Sequence, residues 1–149
     1  MADFHQEGII TTLHALHEAF DRKTYIASLE SKLEKYSRHQ KITLLLPSLF
    51  SEIQNPQVLD RIRDGIEKVK YLHRIVVALG GAPEERQFKE AKEYFGRLRI
   101  SDREVKIVWV EGPRIQKIFQ EIQSREIPTG VQGKGQSVWM ALGYILGKE

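Results

Sequence analysis

The sequence predicts an α/β fold: a parallel sheet of about three strands with flanking helices, preceded by a helical segment. Three observations carry this expectation. Short, mostly apolar strand-like segments start at Ile42, Arg74 and Val105, and each leads into a turn rich in proline or glycine. The stretches between the runs place apolar residues at helical spacing, and alternating strands and helices favour a parallel sheet with right-handed crossovers. The first 37 or so residues show helical spacing and no strand-like run.

In that first segment Ile9 or Ile10, Leu13, Leu16 and Phe20 form one stripe, and Asp3 with Gln6 suits a capping arrangement. Asp21-Arg22-Lys23 marks a break, after which Ile26, Leu29, Leu33 and Tyr36 form a second stripe. The polar residues Ser37 to Lys41 read as a linker, dividing a helical segment, 1–40, from the main domain, 41–149. Ile42 to Leu46, ended by Pro47, is expected to be a strand buried on both faces. Asn55-Pro56 suits an N-cap with proline at the first helical position, followed by an inward stripe of Leu59, Ile62, Ile66 and Val69. Arg74 to Leu79 is a second buried strand, and Gly80-Gly81-Ala82-Pro83 leads into a helix burying Phe88, Ala91, Phe95 and Leu98. Val105 to Val110 is the third strand. Gly112-Pro113 opens a helix with Ile115, Ile118 or Phe119, and Ile122 inward.

A loop rich in glycine, Ser124 to Gly135, precedes a last helix at Gln136 to Leu146 that is apolar nearly all round. Such a helix is normally buried on most sides. Three strands and their crossovers are too little to cover it, which implies further sequence or a second subunit.

Composition narrows the function. A chain of 149 residues, 41% hydrophobic and 29% charged, is globular and long enough for one core. No apolar run reaches the roughly 18 residues of a membrane span, and the start lacks the pattern of a secretory signal, so a cytoplasmic protein with no membrane partner is expected. The absence of cysteine excludes disulfides, thiolate metal sites and cysteine nucleophiles. The net charge is +3, but Lys and Arg are interleaved with Glu and Asp throughout, so no nucleic-acid partner is expected.

Few residues suggest chemistry. Gly133-Lys134-Gly135 before a helix can bring backbone amides and an ammonium to a phosphate, although it is not a GxxxxGK[ST] loop; a mundane flexible loop is the alternative. Pro47-Ser48-Leu49-Phe50-Ser51-Glu52 follows the first strand, where its backbone and Glu52 can hold a nucleoside, or Ser51 can simply cap a helix with Glu52 favouring the dipole. His14 and His17 share metal-pair spacing without a third ligand nearby. Trp109 and Trp139 read as core or pocket wall.

Together the Pro47 to Glu52 segment, the second strand with Gly80-Gly81, and Gly133-Lys134-Gly135-Gln136-Ser137-Val138-Trp139-Met140-Ala141-Leu142-Gly143-Tyr144 resemble the glycosyltransferases related to glucosyl-3-phosphoglycerate and mannosyl-3-phosphoglycerate synthases. Asp3-Phe4-His5-Gln6 with Thr12-Leu13-His14 resembles the helical lead-in of bacterial members. The resemblance implies a Rossmann-like sheet forming the N-terminal half of a GT-A fold, with a nucleotide diphosphate sugar as partner. It implies that Pro47, Ser48, Leu49 and Glu52 line the nucleoside pocket, that Gly80 and Gly81 lie against the base or ribose, and that Lys134, beside Gly133, pairs with the diphosphate. It also implies Mg²⁺ or Mn²⁺ held by an aspartate-x-aspartate motif, which this sequence lacks. The expectation is therefore a partial hexosyltransferase, inactive by itself. The alternative is a non-catalytic nucleotide-binding or assembly module, pairing with a separate C-terminal half or with itself.

Overall fold

The computed structural model describes residues 21–100 and 103–147. The expected helix at the N-terminus, its capping pair and the His14/His17 pair lie outside them. The chain divides into two compact units, Met1–Gln40 and Lys41–Glu149.

In the first unit, α1 spans Arg22–Ser37. Asp21 is its N-cap, and its carboxylate accepts from the amides of Lys23 and Thr24 at 3.1 and 3.3 Å, satisfying donors that a helix start leaves unpaired. The acidic break residue is thus the residue that starts the helix.

The second unit runs β1 (Ile42–Leu49), α2 (Phe50–Gln54), α3 (Gln57–Lys68), β2 (Leu72–Gly80), α4 (Glu85–Gly96), β3 (Glu104–Trp109), α5 (Pro113–Ser124) and α6 (Lys134–Leu146). The strands form one parallel sheet in the order β1-β2-β3. Alternation along the central strand sorts the core. Ile75 and Val77 face α3 and α4, where they meet Leu59, Ile66, Tyr94 and Phe95, while Leu79 packs with Phe50 and Ala91. Val76 and Ala78 face the other way and pack on Ala141 of α6. Phe119 of α5 joins Met140 of α6 over Val110. This is helix, sheet, helix layering, and β2 is the strand buried on both faces.

The expected strand at 42–46 differs in two ways. It runs on through Pro47 to Leu49, and it is half-buried rather than buried. Both follow from its position at the edge of the sheet, where a proline lacking an N–H does not break a ladder and one side has no strand neighbour. Proline is also displaced at the next helix: Pro56 is the N-cap of α3, not its first residue. Ile62, expected inward, is exposed, and of the alternatives Ile118 and Phe119 it is Phe119 that is buried. Gly112-Pro113 caps and opens α5 as expected.

The last helix begins two residues before the expected Gln136 and is covered on one side only. Ser137, Met140 and Ala141 are buried, whereas Trp139 and Leu146 are 48% and 71% exposed and Leu142 is exposed beside them. Three strands offer α6 a single face to pack on.

Candidate functional site

The strand ends are level. Leu49 pairs with Gly80, and Leu79 with Trp109. The turns after the three strands therefore share one edge, where parallel sheets bind ligands. The start of α6 reaches the same edge. Lys134 and Ser137, three apart on one helix face, meet Pro47, Ser48, Leu49, Glu52 and Ala78 around a crevice of about 20 Å³. So five of the sequence-selected residues, Pro47, Ser48, Leu49, Glu52 and Lys134, come together.

The first turn is rigidly made. One oxygen of Glu52 accepts the Ser48 hydroxyl at 3.0 Å and the Leu49 amide at 2.9 Å. Leu49, not Ser51, is the N-cap of α2, and Glu52 reaches back to it from the third helical position. Glu52 therefore has a structural task in shaping the turn whatever else it holds. Ser48 is buried; Leu49 projects to solvent.

Gly80 and Gly81 border this corner. A Cβ at Gly80 would sit 3.2 Å from Ser137 Oγ, so the turn after β2 and the first turn of α6 approach closely. Gly81 has φ +69°, a left-handed conformation that glycine adopts without steric cost. Its amide donates to Glu111 Oε1 at 2.8 Å. Gly133 is the N-cap of α6 in extended backbone, and neither it nor Gly135 has an atom within 4 Å of an added Cβ. The space over the helix start is open.

Lys134 is exposed at the first position of α6 and, among the described residues, has no ion-pair partner. Lys134 is the first residue of a helix whose N-cap makes no side-chain hydrogen bond, so a cation and the free amides at the positive dipole end favour an anion in the same region. Among the described residues no three His, Asp or Glu side chains cluster to hold a metal. No helix among them is long and apolar enough to cross a membrane.

Sequence reasoning missed Ser137 and Glu111. Ser137 was legible from its spacing to Lys134 on one helix, and Glu111 from its place at the end of the third strand.

A Rossmann-like parallel sheet of three strands, with helices on both faces, is the architecture of the first half of a GT-A fold. The chain is 39% identical over 146 residues to a glucosyl-3-phosphoglycerate synthase of Persephonella marina, covering 98% of this chain and 34% of that protein. It is 34% identical over 142 residues to the enzyme of the same name from Methanococcoides burtonii, covering 95% of this chain and 32% of that one. The resemblance to glucosyl-3-phosphoglycerate synthases thus extends over nearly the whole chain, and the chain spans about a third of the length of these curated relatives. No family model matches it. No solved structure matches it.

Proposed function

We propose that this chain is the nucleotide-sugar-binding part of a hexosyltransferase whose family reaction moves a hexose from a nucleotide diphosphate donor to 3-phosphoglycerate or a related small acceptor. The observation that carries this is the meeting of Lys134 and the α6 N-terminus with the Pro47 to Glu52 turn at the sheet's carboxyl edge. The nucleoside lies against Pro47, Ser48, Leu49, Gly80 and Gly81, and the diphosphate over Gly133 and Lys134. As the sugar departs, charge grows on the diphosphate. A fixed ammonium and helix amides stabilise that charge more than they stabilise the ground state. The crevice itself is far smaller than a nucleotide, so the ligand lies across its mouth.

The relatives' names support glycosyl transfer, and the matches cover 95% to 98% of this chain. Titration with UDP or GDP, read by amide chemical shifts, tests the reading. Shifts at Gly135, Gln136 and Leu49 are expected; an unperturbed spectrum at millimolar ligand overturns it. Sugar transfer is a separate expectation. The chain has no aspartate-x-aspartate, so it does not turn over a nucleotide sugar with Mg²⁺ and 3-phosphoglycerate; robust turnover contradicts this.

The uncovered side of α6 favours a second reading, an assembly module completed by another polypeptide. Trp139, Leu142 and Leu146 form one exposed stripe. Co-purification with a polypeptide matching the remaining two-thirds of the relatives supports it; failure of the two to associate removes it.

A further inference from the structure

Next to the Lys134 corner is a larger cavity, about 550 Å³, that the reading above leaves unused. It is bordered by Glu111, Gln116, Gln120, Gln132 and Gln136, with Thr129. One carboxylate stands among neutral amides, and no lysine or arginine lines the space. Gln136 and Ser137 are neighbours in the first turn of α6, and one borders this cavity while the other borders the crevice at Lys134. A single ligand crossing that turn reaches both.

The Glu111 carboxylate is incompletely used. Oε1 accepts from the Gly81 amide at 2.8 Å and from Gln132 Nε2 at a long 3.3 Å. Oε2 is buried and has no hydrogen-bond partner among the described residues. An ionised carboxylate offers about four acceptor positions, and a buried unpaired polar atom calls for a specific explanation. Its place gives one. Oε1 lies 3.9 Å from where a Cβ at Gly80 would be, and that point lies 3.2 Å from Ser137 Oγ. The carboxylate therefore sits within one nucleoside's length of the Lys134 corner.

We propose that Glu111 is a specificity-determining residue that accepts hydrogen bonds from N–H or O–H donors of the nucleoside, which reaches from the Gly80 and Gly81 corner into the cavity while the diphosphate rests at Lys134. The proposal rests on the nucleotide-sugar reading. The donor comes from the base edge or from the ribose diol; both are the same chemistry to a carboxylate. On binding, the ligand displaces the long Gln132 contact and supplies the donor that the free oxygen lacks. The Gly81 bond orients the carboxylate throughout. An amide-lined wall with one acid suits such a ligand, because neutral polar groups hydrogen-bond without demanding a counter-charge.

The test compares Glu111→Gln with the natural chain, using calorimetric titration with UDP, GDP and inorganic pyrophosphate. Pyrophosphate touches only the Lys134 end. The expected result is an affinity for the nucleoside diphosphate lowered about tenfold, since a carboxylate acceptor is replaced in part by a donor, with pyrophosphate affinity unchanged. Nucleoside diphosphate affinity within twofold of the natural chain, or an equal loss for both ligands, overturns the proposal and leaves the Lys134 site standing. A natural chain that binds none of the three overturns both. The 2′,3′-dideoxy analogue of the tighter nucleotide locates the donor: a persisting Glu111→Gln penalty assigns it to the base, an abolished one to the ribose. Gln132→Ala keeps the Gly81 bond and removes a competitor, so its affinity holds or rises. A tenfold fall in that variant contradicts the displacement.

Discussion

Trp109 donates its indole N–H to the carbonyl oxygen of Ala82 at 2.6 Å, tying the end of the third strand to the turn after the second. Its ring also stacks on Phe88, with centroids 4.8 Å apart and planes 8° apart. The turn carrying Gly80 and Gly81 is thereby held from its far end. Trp109→Phe keeps an aromatic surface and removes the donor, leaving the carbonyl of a buried residue unpaired. The expected cost is about 1–3 kcal/mol of unfolding free energy, read from urea titration. An unchanged midpoint shows that the bond does not hold the turn.

Gly112 is needed for the same tryptophan. A Cβ there would lie 2.6 Å from Trp109 Cε3 and 3.0 Å from the Trp109 carbonyl oxygen. One neighbour is ring and the other backbone, so neither yields easily. Gly112→Ala is expected to destabilise by roughly 1–3 kcal/mol through overpacking, measured by thermal or chemical melting. A neutral effect would mean the ring relocates freely.

Gly135 separates stability from binding. It lies inside α6 with open space around an added Cβ. Gly135→Ala removes backbone freedom from a helix and is expected to stabilise the fold by about 0.5–1 kcal/mol. If a phosphate rests over this turn, the added methyl obstructs it and nucleoside diphosphate affinity falls. A variant that is both more stable and equally avid places the phosphate elsewhere.

Tyr94 links α4 to α3. Its hydroxyl donates to Asp60 Oδ1 at 2.6 Å. Burial, reinforced by the Asp60 carboxylate, pushes its pKa from 10.0 to about 12. A folded-state pKa above the unfolded one means the stabilisation is complete below pH 10 and is lost as pH rises toward about 12. The natural chain should lose stability across that window more steeply than Tyr94→Phe, which has no such group. Parallel stability curves for the two chains contradict this.

Much of this was legible in the sequence because the central strand declares itself. Ile75 to Leu79 is a continuous apolar run, and continuous runs belong to strands covered on both faces. The first strand was placed but misjudged. Ile42 to Leu46 is as apolar as the central run, yet it is half-buried, because strand order is a property of pairing and not of local composition. Pro47 was read as a terminator when an edge position tolerates it. The corner residues were visible as turn chemistry. Glu111 was marked only by its place at the end of the third strand, and its role showed once a buried oxygen without a partner distinguished it.

The meeting of Lys134 with the sheet edge is tested most directly by calorimetric titration of UDP and GDP into the natural chain and into Lys134→Ala. Loss of the charge-assisted contact should weaken binding by roughly 1.5–3 kcal/mol, about ten- to a hundredfold. Equal affinity in the two proteins removes Lys134 from the site and, with it, the diphosphate position on which the nucleotide-sugar assignment depends.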